Sequence, residues 1–76
     1  MQSAIQILSH NVKAYRLLCG MTQKKLASKS GLTQSSISAL EKERLNPTLK
    51  HISAIAKAMD CEATHLLDPE FVSEFI

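Results

Sequence analysis

Aromatic residues are nearly absent from this chain of 76 residues: it has no tryptophan, and Tyr15, Phe71 and Phe75 are its whole aromatic complement. Glycine and proline occur twice each. Strand-favouring residues are scarce beside Leu, Ile, Ala and Lys, which argues for an all-α domain. No apolar run approaches the ~18 residues that a membrane span needs, so no membrane partner is expected. The two cysteines, Cys19 and Cys61, have no CxxC spacing. No basic residue precedes a long apolar run in residues 1–10, as a secretory leader would require. Both thiols are therefore expected to be reduced and the protein cytoplasmic. His10, His51 and His65 are scattered, with no Cys or carboxylate at ligand spacing, so neither a metal nor another cofactor is expected. Ser35, Ser36 and Ser38 lack a neighbouring base, and no glycine-rich phosphate loop exists, so the chain does not read as an enzyme.

What is present is first a charge asymmetry. The formal net charge is +2, but residues 1–50 carry +6 and residues 51–76 carry −4. A basic N-terminal portion suits a polyanion such as DNA. The length fits one domain, 1–76, with a modest core.

Punctuation at Gly20, Gly31, Asn46-Pro47, Asp60 and Asp68-Pro69 cuts the chain into short helical segments. A first helix is expected over 4–19, with Ile5, Leu8, Val12 and Tyr15 on one stripe and Gly20 as a left-handed cap. A second follows Thr22 as N-cap, turns Leu26 and Ala27 inward and stops at Gly31. A third follows Thr33, with Ile37 and Leu40 facing the core. The fourth starts after Thr48 and is expected to pack Leu49, Ile52, Ile55, Ala56 and Met59. A fifth covers 63–67 behind Glu62, a poor cap. Asp68-Pro69 permits a short sixth helix with Phe71, Val72, Phe75 and Ile76 on one side. The expected fold is a compact bundle of five short helices, with core 8–67 and an extension 68–76.

The second and third helices, joined by a three-residue turn, have the spacing that lets the later helix lie in a major groove. Its outer face carries Gln34, Ser35, Ser38 and Lys42, hydrogen-bonding side chains of little bulk. Gln can pair bidentately with adenine, and Ser can meet several base edges.

The same stretch resembles the lambdoid phage repressor and Cro family, the XRE helix-turn-helix domains. The resemblance rests on Arg16, Gly20-Met21-Thr22-Gln23, Leu26-Ala27, Gly31 through Ser38, Leu40-Glu41, Asn46-Pro47-Thr48-Leu49 and Ile55 through Met59. It implies that Gln34, Ser35, Ser38 and Ala39 meet bases, and that Gln23 clamps a phosphate. Lys24, Lys42, Arg44 and Thr48 are taken as further phosphate contacts. The family pattern makes Arg16 and Glu41 a structural ion pair. Ala39 departs from that pattern, since a longer polar residue is common there. Leu17, Leu18 and Cys19 stand where charge is usual, and Asp60 stands where Gly is usual.

The reading is a small repressor-like transcriptional regulator, bacterial or phage, binding double-stranded DNA through the major groove. Two-fold pairing on a near-palindrome would double the few base pairs that one helix reads. So apolar a terminus is either core closure or a partner surface, and Phe71, Val72, Phe75 and Ile76 are taken as the homodimer contacts. A phage repressor, a restriction-modification controller and an antitoxin with a toxin partner all remain open. So does a protein-interaction module that has kept the fold.

Overall fold

The computed structural model describes residues 2–75 and shows five α-helices followed by a 3₁₀ helix. They are α1 (Ala4–Leu18), α2 (Gln23–Ser30), α3 (Gln34–Glu41), α4 (Leu49–Ala58) and α5 (Ala63–Leu66), with the 3₁₀ helix at Val72–Phe75. Ile76 lies outside the described residues.

Local chemistry accounts for most of the boundaries. Thr22, Thr33 and Thr48 each accept a free backbone N–H from the first turn of the helix that follows, from Lys25 at 3.0 Å, Ser36 at 3.1 Å and His51 at 3.2 Å. Ser3 does the same for α1, and Gln6 Oε1 accepts from the Ser3 N–H at 2.8 Å, which completes a capping box. At α5 the Glu62 N–H donates to His65 Nδ1 at 3.2 Å.

The C-terminal ends of α1, α3 and α4 share one closure. A left-handed residue follows each cap, and the next N–H returns to a carbonyl five residues back: Met21 to Arg16, Arg44 to Ala39, Cys61 to Ala56. Gly20 takes this conformation freely at φ 71°, but Glu43 at 61° and Asp60 at 57° are side-chain-bearing residues there. The third helix thus stops at Glu41, well before Asn46-Pro47.

Ile37, Leu40, Leu26, Val12, Ile55 and Leu66 are all but inaccessible and form the centre of one core. Asn11 is buried among them and donates through Nδ2 to the carbonyls of Leu66 (3.0 Å) and Asp68 (2.8 Å). Those bonds anchor the end of α5 and the following turn to α1.

Two sequence expectations need correction. Leu49 does not pack inward; it is 72% exposed, and burial along α4 begins only at Ile52. The apolar period runs one turn past the edge of the packed face. Phe71 and Val72 are only 5% and 6% exposed within the single chain. Phe71 lies 4.7 Å from the Tyr15 ring and stacks on His65 at 5.1 Å. These two side chains close the core against α1 and leave little surface for a partner. Phe75 is 52% exposed. The sixth helix is a single 3₁₀ turn.

Candidate nucleic-acid interface

Two eight-residue helices, α2 and α3, meet at the turn through Gly31, whose φ is 77°. No side chain would fit that conformation without strain. Ile37 and Leu40, both at 0% exposure, fix the rotation of α3 about its axis. With them inward, Gln34 and Ser35 stand exposed, while Ser38 and Ala39 are half-buried along the same outer side.

These four side chains line a shallow depression of about 400 Å³. Gln23, at the first position of α2, lines it too, as do Lys42 and Arg44. The α3 closure at Glu43 turns the chain so that Arg44 reaches it. The structure therefore gathers seven of the nine candidate DNA-contacting residues. Lys24 and Thr48 lie outside the depression, both exposed, and the Thr48 hydroxyl is already the cap of α4.

Behind the depression sits the Arg16–Glu41 pair. Arg16 Nε donates to Glu41 Oε2 at 2.7 Å, and a terminal guanidinium N–H donates to Oε1 at 3.0 Å. A second terminal nitrogen donates to the Met21 carbonyl at 2.8 Å. The side chains are 8% and 3% exposed, so each charge tolerates burial through the other. The pair ties the last turn of α1 to the last turn of α3, and so sets where the outer face of α3 points.

Sequence reasoning missed one contact here. Gln23 Nε2 donates to Glu41 Oε1 at 3.1 Å. Nothing local signals it, because the partners are 18 positions apart.

The perturbed titratable groups lie elsewhere. Burial, and then the negative charge of Cys19 and Asp60, pushes the Cys61 thiol up to about 11. The Tyr15 hydroxyl is raised as well, by burial first and by Cys19 and Cys61 next. Neither lines the depression. Among the described residues no three His, Cys, Asp or Glu side chains are grouped to hold a metal ion, and no helix is long and apolar enough to cross a membrane.

Two short helices about a left-handed glycine, the second presenting a polar face with a basic rim, define a helix-turn-helix module. The helix-turn-helix family matches residues 12–66, and the chain belongs to it. It is 36% identical over 62 residues to the control protein C.SmaI of Serratia marcescens, covering 82% of this chain and 74% of that protein. The hypothetical transcription factor NHTF from Neisseria has the same fold, with a TM-score of 0.87 and 30% identity over 99% of this chain and 87% of that one. The restriction-modification controller C.AhdI from Aeromonas hydrophila superposes with a TM-score of 0.79 at 29% identity, covering 82% of this chain and 94% of its own.

Proposed function

We propose that this chain is a DNA-binding transcriptional regulator that lays α3 in a major groove of double-stranded DNA. The observation that carries the reading is the shared depression, where Gln34, Ser35, Ser38 and Ala39 stand together with Gln23 and the cations Lys42 and Arg44. The short polar side chains read base edges, and Gln23 and the cations hold the backbone. Lys24 and Thr48 extend the backbone contacts outward. The protein acts in the cytoplasm and carries out no chemistry of its own.

Likeness to proteins named as restriction-modification controllers favours that role over a phage repressor or an antitoxin. The working form is a homodimer on a near-palindrome. With Phe71 and Val72 in the core, its contacts fall among the exposed apolar side chains Leu17, Leu18, Leu49, Leu67 and Phe75.

Selection of duplexes from a random-sequence pool by the whole chain tests this. An enriched, two-fold symmetric site is expected. Gln34→Ala should relax preference at one base pair per half-site, by about 1–3 kcal/mol. Lys24→Ala should weaken all sequences alike and lower the slope of log K against log salt by about 0.9 for each phosphate no longer neutralised. Indifference to sequence at moderate salt would overturn the reading.

A further inference from the structure

The Arg16–Glu41 pair looks like pure scaffold until its third partner is considered. Glu41 Oε1 accepts from Arg16 at 3.0 Å and from Gln23 Nε2 at 3.1 Å. Glu41 itself is 3% exposed at its side chain, so it does not reach a ligand. Gln23 is half-buried and lines the depression.

We infer that Glu41 is a positioning residue for DNA binding, which holds the Gln23 side-chain amide in the orientation that meets a DNA phosphate. The inference rests on the DNA-binding reading above. A carboxylate only accepts hydrogen bonds, so it decides which end of the amide turns inward. Nε2 faces Glu41 through one N–H, and its second N–H has no partner among the described residues. A phosphate oxygen also only accepts, and that second N–H is the donor the amide has left for it. The rotamer freedom of the long Gln side chain is lost in the free protein rather than on binding DNA.

Arg16 has a matching part. A bare carboxylate so close to the groove would repel the phosphate that Gln23 is to hold. The guanidinium covers both carboxylate oxygens, and its remaining bond to the Met21 carbonyl keeps it there. The ion pair is neutral as a unit, so Glu41 can grip Gln23 without opposing the DNA.

The test is a double-mutant cycle on Kd for a duplex enriched by the wild-type chain from a random pool. Gln23→Ala should weaken wild-type binding by about three- to tenfold, the range set by ordering one long side chain. In a Glu41→Gln background the same change should cost less than about twofold, because the amide is no longer held. The salt slope should be the same for wild type and Gln23→Ala, since the Gln23 amide carries no charge. An equal effect of Gln23→Ala in both backgrounds, or none in either, overturns the inference while leaving DNA binding intact. If the wild-type chain enriches no sequence, both readings fall.

A second measurement covers the case in which Glu41→Gln unfolds. The Gln23 side-chain amide protons of the free wild-type chain should be shifted and slow to exchange, and should stay so when duplex is added. Free-solution shifts and exchange would overturn the inference.

Discussion

Removing Arg16 alone should cost the protein a large share of its stability, and removing its partner with it should restore most of that loss. The guanidinium makes three bonds of 2.7–3.0 Å, two to Glu41 and one to the Met21 carbonyl. In Arg16→Met the Glu41 carboxylate stays buried, 3% exposed in the native chain, with only the Gln23 amide to compensate it. Breaking a buried pair from one side costs about 3–5 kcal/mol. A domain of this length has a total stability of about 4–11 kcal/mol. The variant should therefore lose between about a quarter and all of its stability. In Arg16→Met/Glu41→Leu no charge remains buried, and apolar side chains fill similar space. That exchange is commonly neutral or stabilising, so stability should return to within about 1–2 kcal/mol of wild type. Urea denaturation followed by far-ultraviolet circular dichroism measures both values, and the single and double variants should unfold with the same slope. A loss below about 1 kcal/mol in Arg16→Met would mean a solvated pair and refute the reasoning. So would a double variant no more stable than the single one. The refolded double variant should still bind DNA more weakly than wild type, because Gln23 has lost its anchor.

Three further perturbations follow from the backbone and the core. Glu43→Gly should stabilise by about 0.5–1 kcal/mol, the left-handed strain relieved less the entropy of a glycine, and calorimetry should show a rise in Tm of several degrees. Ser9 Oγ is buried in α1 with no hydrogen-bond partner among the described residues, so Ser9→Ala should gain about 1 kcal/mol in urea, and a drop in stability would mean that the hydroxyl is satisfied. Phe71→Ala should cost about 3–5 kcal/mol while Phe75→Ala costs less than about 1. Circular dichroism and sedimentation at high dilution should separate unfolding from dissociation in the two variants; a Phe71→Ala chain that stays folded but no longer pairs would show that Phe71 is an interface residue after all.

What the sequence makes legible is what local chemistry decides. Thr22, Thr33, Thr48, Gly20 and Gly31 announce helix ends through bonds to their own neighbours, and each stands at the boundary expected of it. Ile37 and Leu40 reveal the inner face of α3 by spacing alone. Leu49 fails for the complementary reason. Its spacing matches Ile52 and Ile55, but whether the first turn of α4 is covered depends on how far its neighbours extend. Phe71 and Phe75 are alike as text; their separation into core and surface comes from the turn held by Asn11, 57 positions away from Asp68. Glu43 carries no sign of its left-handed backbone, since the residue type argues against it. The Gln23–Glu41 bond joins two helices across the turn and has no sequence pattern at all.

The composition of the α3 surface bears on how such a protein could select its site. Ser35, Ser38 and Ala39 reach only a short way from the helix, so base contact requires the backbone of α3 to come close to the groove floor. In the proposed complex that approach would depend on Gln23, Lys42 and Arg44 all finding phosphates at the right height at once. A groove of the wrong width would satisfy some of them and strand the rest. Selection then rests in part on the shape and stiffness of the duplex rather than on hydrogen bonds to bases alone. In a two-fold dimer the spacing of half-sites adds a second geometric filter. The buried Arg16–Glu41–Gln23 unit fits this logic. A reader with short side chains needs its backbone clamps fixed in advance, and on the proposed reading the unit would fix one of them, Gln23, to α3.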